Sequence, residues 1–386
     1  MGTFKPFFLK LLEAPLVLTF RDVILLPGKA VVEPSEVKLS ASFTKSIKLK
    51  VPLVSAPMDT VTSSRMAIAI ARCGGIGVIH RNMPRDEQIK EVREVKASDP
   101  FALIDKDESL EPATDEEGNL LVAAAVSPFD LDRAKKLSRW ADALVVDVAH
   151  FHNEAVIVAT KKMVSEVGID VVVGNVGSYE AVEEIITRIE AAAIRAGMSS
   201  GSICITGEVT GAASPTLWAT AQVSQALMDY GAKLPVIADG GIRGPGDAAK
   251  AFAVGASSVM LGFVLAGSEE SPSEPIMIND RMFKLYRGMG SLSARVKRYA
   301  LDRYSRPSKE VTEGIEMLVP YKGKVVSIIK EFVGGLKAAF GYAGASTIED
   351  MWIKAKLGRV TPLGMREISA HGHSHSMVEG GLWVTS

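Results

Sequence analysis

Short apolar runs alternate along the chain with segments of helical period. VPLVSAPM (51–58) precedes SRMAIAIARCG, IGVIH (76–80) precedes RDEQIKEVREVK, and LLVAAAVS (120–127) precedes FDLDRAKKLSRW. ALVVDVA (143–149) leads to a helix starting near Asn153, and DVVVGNV (170–176) to EAVEEIITRIEA. AIRAGM (193–198) leads to a loop and TLWATAQVSQALMDYG, PVIADGGI (235–242) to DAAKAFAVGA, and SVMLGF (258–263) completes eight strands. Strands that are apolar without interruption are those covered by helices on their outer face. Eight such βα units predict an α/β fold, a (β/α)8 TIM barrel. A doubly wound open sheet is the structural alternative, because periodicity does not reveal closure.

Two segments break the rhythm. Residues 97–118 are polar, contain proline and read as a connector between the second helix and the third strand. Residues 268–323 are long and charged, and a loop of that length in a compact domain usually carries function. The whole chain, 1–386, then reads as one barrel domain with a connector, an insertion and a polar tail at 370–386. Barrel enzymes place their chemistry at the C-terminal ends of the strands. Met58, Asp147, Asn175, Cys204, Asp239 and Gly262 all fall at or just beyond predicted strand ends and are expected to converge on one mouth.

Composition narrows the class of partner. The chain has 47% hydrophobic residues, 34 glycines and a net charge of -1, enough for a large core and without a global pull toward nucleic acid or membrane. Small molecules and further copies of the chain are the expected partners. Two cysteines, Cys73 and Cys204, make neither a disulfide framework nor a cysteine-rich metal site, which fits a reducing cytoplasm. The opening MGTFKPFFLKLLEAPLVL is interrupted by Glu13 and is expected to lie packed on the body. Only three Gln and five Asn occur, a scarcity of labile amides also found in thermophile proteins. In the tail, HGHSH places His371, His373 and His375 in alternation, and the reading is an exposed polar segment rather than a metal site.

Cys204 lies in GMSSGSICITGEVTG (197–211), between the sixth strand and its helix. Free backbone amides in such a loop polarise sulfur, and a cysteine near a helix N-terminus becomes a nucleophile. Cys73, inside MAIAIARCGG, reads as a small buried hydrophobe.

GMSSGSICIT resembles the catalytic loop of IMP dehydrogenase, a motif shared in part with GMP reductase. The resemblance covers nearly the whole chain: LTFRDVILLPG, VSAPMDTVT, GGIGVIHRNM, GNV, ADGGI, YRGMGSL, DRY, TEGIE and VPYKG occur in family order. It implies attack of the Cys204 thiolate on C2 of the IMP purine, hydride transfer to NAD, and hydrolysis of the adduct to XMP. The resemblance assigns the hydrolytic step to Arg303 and Tyr304 on a mobile flap within 268–323, and a proton relay to Thr206 and Glu313. It further implies that Asp239 takes the ribose hydroxyls and that Gly241, Gly262, Ser202 and Tyr286 take the phosphate. Gly288, Met289 and Gly290, with Glu313, would hold the base edge, and Met58 would pack on the purine. Asp147, Asn175 and Gly197 would meet NAD, an acidic group on a ribose diol following the logic of dinucleotide folds. Ser199, Gly201 and Cys204 would offer carbonyls to a potassium ion, completed by Glu379, Gly380 and Gly381 of a neighbouring subunit in a C4 homotetramer. Oxygen-only ligation suits such a hard, weakly held cation.

Four positions depart from the family pattern. Ser199 replaces a glycine of the loop, Phe151 replaces a glycine near the cofactor, Phe263 replaces a serine of the phosphate site, and Gly207 follows the catalytic threonine. GMP reductase, using NADPH, is the rival reading, but its corresponding segment is shorter and lacks the Arg-Tyr pair. A non-catalytic purine-nucleotide-binding paralogue is the third. The connector at 97–118 stands where most members insert two regulatory CBS modules, and it is too short for a folded module.

Overall fold

Ala123 and Ala125 face the inside of a ring of strands while Val122, Ala124 and Val126 face the helices around it, the period of two that a strand imposes. The computed structural model describes residues 7–102, 110–297, 299, 300, 302 and 312–369. Its central sheet is a closed barrel of eight parallel strands: β1 (Leu53–Ser55), β2 (Ile76–Ile79), β3 (Val122–Val126), β4 (Ala143–Val146), β5 (Asp170–Val176), β6 (Ala193–Ala196), β7 (Val236–Asp239) and β8 (Ser258–Leu261). Closure is made by β8 against β1, with Val259 opposite Leu53 and Leu261 opposite Ser55. All eight strands read from the sequence are present, and the open-sheet alternative is excluded.

Seven helices follow the strands as the sequence predicts: α1 (Ser64–Arg72), α2 (Arg85–Lys96), α3 (Leu131–Leu137), α4 (Glu154–Val167), α5 (Tyr179–Arg188), α6 (Thr216–Asp229) and α7 (Pro245–Ala253). The Asn153 side chain accepts from the amides of Ala155 and Val156, which starts α4 where the sequence places it. The eighth, α8 (Val325–Ala343), comes only after the insertion and packs on α7 and α1. Inside the barrel, small alanines are filled against Ile237, Met260, Val145 and Val172. Outside it, the apolar faces of the helices cover the outward residues, each buried aliphatic side chain contributing about 1.5–3 kcal/mol.

The insertion is more ordered than its charge suggests. Within 268–323 the chain forms an antiparallel sheet of β9 (Pro275–Ile278), β10 (Arg281–Arg287) and β11 (Glu316–Pro320). Lys284 of β10 is buried, and its ammonium donates to the carbonyls of Ser268 at 2.9 Å and Ser271 at 2.8 Å, tying the sheet to the turn after β8. The described part of the connector is held by Lys96, which bridges Asp115 and Asp142.

The N-terminal segment differs from its sequence-based expectation. Helix Phe7–Leu12 has no buried residue, and Phe7, Phe8, Leu11 and Leu12 are exposed. Apolar composition favours burial only when the fold supplies a surface, and packing on the body begins near Phe20 and Val23. No helix among the described residues is long and apolar enough to cross a membrane.

Candidate active site

The ends of β1, β5, β6 and β7 and the segments following β6 and β10 open onto one pocket. Met58, Asn175, Gly197, Ser199, Gly201, Cys204, Thr206, Asp239, Tyr286, Gly288, Met289 and Glu313 line it. Of the six residues expected from their position at strand ends, Met58, Asn175, Cys204 and Asp239 line this pocket, and Asp147 and Gly262 do not.

Cys204 sits in a loop anchored on both sides. Before it, Met198 and Ser214 exchange backbone hydrogen bonds, and the Ser200 hydroxyl accepts from Thr216 N–H at 2.9 Å. After it, Ile205 N–H donates to Glu313 O, and Ile315 N–H to Ile203 O, so the loop pairs with the strand-like segment 313–315 of the insertion. That pairing delivers the Glu313 carboxylate to the Thr206 hydroxyl, which donates to it at 2.7 Å. Thr206 Oγ1 in turn lies 3.3 Å from Cys204 Sγ. Thiol, hydroxyl and carboxylate form a line along which a proton can leave the sulfur. Gly290 lies beneath, its carbonyl accepting from Glu313 N–H at 3.2 Å.

A second network runs under the pocket. Arg195 of β6 is fully buried and donates to Asp147 Oδ1 at 2.9 Å and to Asn175 Oδ1 at 2.7 Å. The Asn175 amide donates to Asp239 Oδ2 at 2.9 Å and to Gly197 O at 2.8 Å. Arg81 donates to Asp147 O at 3.0 Å and to Asp302 Oδ1 at 2.6 Å. Gly174 has no room for a side chain here, since a Cβ would stand 2.6 Å from Arg195 Cβ. Asp147 is therefore enclosed by two arginines and shut off from solvent in this arrangement, whereas Asn175 and Asp239 reach the pocket wall. Sequence reasoning did not single out Arg195 or Arg81. The signal for Arg195 was a lone charge inside an apolar strand, which has to be partnered to be buried.

Around Tyr286, Gly262 approaches so closely that a Cβ would lie 2.9 Å from the phenol oxygen and 3.3 Å from Met58 Sδ. Burial, then the charges of Asp239 and Cys204, push the Tyr286 hydroxyl well above the usual phenol range, so it is a neutral donor. Gly240 and Gly241, at φ 94° and 73°, make the turn after β7 that only glycine adopts freely. Ser202 is exposed on the loop and does not line the pocket. Phe263 lies tilted against Tyr286, with ring centroids 6.1 Å apart, under the ammonium of Lys322. Phe151, by contrast, is wholly buried in the layer between strands and helices and does not line the pocket.

The residues suit the groups the resemblance implies. The pocket beside Cys204 is walled by Met58 after β1, Asp239 of β7, Ala149 and Asn175. Ser199 keeps φ 64°, the left-handed backbone a glycine would take. Arg303, Tyr304, Glu379, Gly380, Gly381, His371, His373 and His375 lie outside the described residues. Among the described residues no cluster of three or more His, Cys, Asp or Glu forms a metal site.

Fold and pocket together define a barrel whose mouth brings a thiol, a hydroxyl and a carboxylate into line. Residues 17–371 match the IMP dehydrogenase / GMP reductase domain, and the chain belongs to that family. It is 43% identical to the inosine-5'-monophosphate dehydrogenase of Korarchaeum cryptofilum, covering 92% of this chain and 96% of the relative. It is 42% identical to that of Cryptosporidium parvum (92% and 94%) and 36% identical to that of Thermoplasma acidophilum (92% and 94%).

Proposed function

We propose that the protein oxidises IMP to XMP with NAD, a step of guanine nucleotide synthesis, through a covalent adduct on Cys204. The line from Cys204 Sγ through Thr206 to Glu313 is the observation that carries this reading. Sulfur attacks C2 of the purine, its proton leaving along Thr206. The C2 hydride departs to NAD, which supplies the acceptor. Water then attacks C2 and the carbon-sulfur bond breaks, giving XMP and the thiol. Thr206 and Glu313 take the proton of that water, together with Arg303 and Tyr304. An arginine serves as a base only in an unusual site, its free pKa exceeding about 12.

Asp239 holds the ribose, and Tyr286 with the amides of Gly241 and Gly262 holds the phosphate. Met58 packs on the base, whose edge meets Gly288, Met289, Gly290 and Glu313. Asn175, Gly197 and Asp147 serve the nicotinamide side, Asp147 exchanging an arginine for a ribose hydroxyl. Carbonyls of Ser199, Gly201 and Cys204, with Glu379, Gly380 and Gly381 of a neighbouring copy, would hold potassium, which would supply a fixed positive charge at the loop. A homotetramer in the cytoplasm is the assembly this implies, and light scattering measures it.

The deciding experiment mixes protein, IMP, NAD and potassium and follows NADH, with GMP and NADPH in parallel. NADH with XMP as product is expected; NADPH loss with GMP alone would make the protein a reductase, and silence in both a non-catalytic relative. Cys204→Ala is expected to abolish both chemical steps. Arg303→Ala is expected to keep the first turnover of NADH and to slow steady-state turnover by a factor of about 100 or more. A normal steady-state rate in Arg303→Ala would remove the arginine from the hydrolytic step.

A further inference from the structure

Two of the departures in the nucleophile loop meet in space. Ser199 adopts φ 64°, a conformation that residues with a side chain occupy at a cost, so a side chain there calls for a compensating contact. The contact is with Gly207: its N–H donates to Ser199 Oγ at 2.7 Å. That amide belongs to the first turn of the short helix Thr206–Thr210, where backbone donors have no acceptor within the helix. Gly207 is also the residue that leaves space for the hydroxyl. A Cβ at this position would stand 3.0 Å from Ser199 Oγ and 3.3 Å from Ala213 Cβ.

The bond between 199 and 207 closes the chain around Cys204. Ser199 Oγ is 3.9 Å from Cys204 Sγ, on a different neighbour from Thr206 Oγ1 at 3.3 Å. The bond from Gly207 N–H holds the serine oxygen within reach of the sulfur, where it accepts from the thiol. Thr206 commits its hydrogen to Glu313 and offers the sulfur only a lone pair.

We propose that Ser199 and Gly207 act as a matched pair that positions the nucleophile, Ser199 being a positioning residue that fixes Cys204 Sγ between two hydroxyls. This rests on Cys204 as nucleophile, as proposed above. The pair replaces loop rigidity by a side-chain bond, and neither member works without the other.

The test measures alkylation of ligand-free enzyme by iodoacetamide and the first-turnover rate of NADH formation. Cys73 does not compete, being buried with its thiol pushed up to about 12. Ser199→Ala is expected to slow both rates about three- to tenfold, the worth of one hydrogen bond, with KM for NAD and the unfolding midpoint unchanged. Gly207→Ala is expected to slow them by a similar factor. Introduced into Ser199→Ala, Gly207→Ala is expected to add less than about 1.5-fold, since the oxygen it would displace is gone. Effects that multiply, or parental rates in Ser199→Ala while Cys204→Ala is inactive, overturn this inference alone. NADH formation by Cys204→Ala overturns it together with the nucleophile assignment.

Discussion

Arg195 shows what one residue organises. Its guanidinium, in the middle of a barrel strand, touches Asp147 and Asn175 and stands 3.5 Å from Asp239. Removing one member of a buried ion pair strands the other, so Arg195→Met is expected to lower stability by about 3–5 kcal/mol, measured by urea unfolding. An unchanged midpoint would mean that Arg81 alone compensates Asp147. AIRAG made the charge legible in the sequence, but its partners come from β4, β5 and β7, and pairing between strands is not written locally. His80 is a second case. Burial, opposed by the charge of Asp59 and aided by Lys297, Arg133 and Arg287, lowers its pKa to about 4. The folded state keeps it neutral while the unfolded chain takes a proton near 6.5, so the unfolded state binds more protons between those values. Stability is therefore full above about 6.5 and falls as pH drops toward about 4, by at most about 3 kcal/mol. Unfolding midpoints across that window check this, and His80→Gln should flatten the slope.

At the scale of elements, the barrel strands were legible because each is a contiguous apolar run followed by a helical period. The hairpin β9–β10 was not, because it lies in a segment whose charge and length read as a loop. Its signal was Asn279-Asp280 between PIMI and RMFKLYR, a two-residue turn flanked by strand formers. Both turn residues have positive φ, 47° and 61°, with Ile278 opposite Arg281. Glycine adopts that backbone without strain, so Asp280→Gly is expected to stabilise the protein by about 0.5 kcal/mol. Asp280→Val, β-branched at positive φ, is expected to destabilise by about 1 kcal/mol or more. Thermal midpoints moving in the same direction for both would deny the turn its geometry. The hairpin matters to the site because β10 ends at Tyr286, Arg287 and the turn carrying Gly288.

Across the whole molecule, three of the fastenings between insertion and barrel lie at separate places. Arg287 is paired with Asp59 after β1, segment 313–315 is paired with the nucleophile loop, and Asp302 spans the mouth. Asp302 accepts from Arg81 after β2 and from Ser127 after β3, two residues that the sequence could not place next to each other. Chemistry-bearing Glu313 thus reaches the barrel through an element that is not part of the βα repeat, which is why the family motif, rather than periodicity, located it. Of the three fastenings, Asp302 is the most exposed, with 28% of its side chain open to solvent. Arg81 keeps Asp147 as a partner if it is lost. Asp302→Ala should consequently release the insertion without loosening the barrel. Trypsin cleavage at the exposed Lys297 is expected to accelerate about threefold or more, while the global unfolding midpoint moves by less than about 2 °C. Equal cleavage rates in the two proteins would mean that the first and second fastenings suffice to hold the insertion, and a large fall in midpoint would mean that insertion and barrel unfold as one unit.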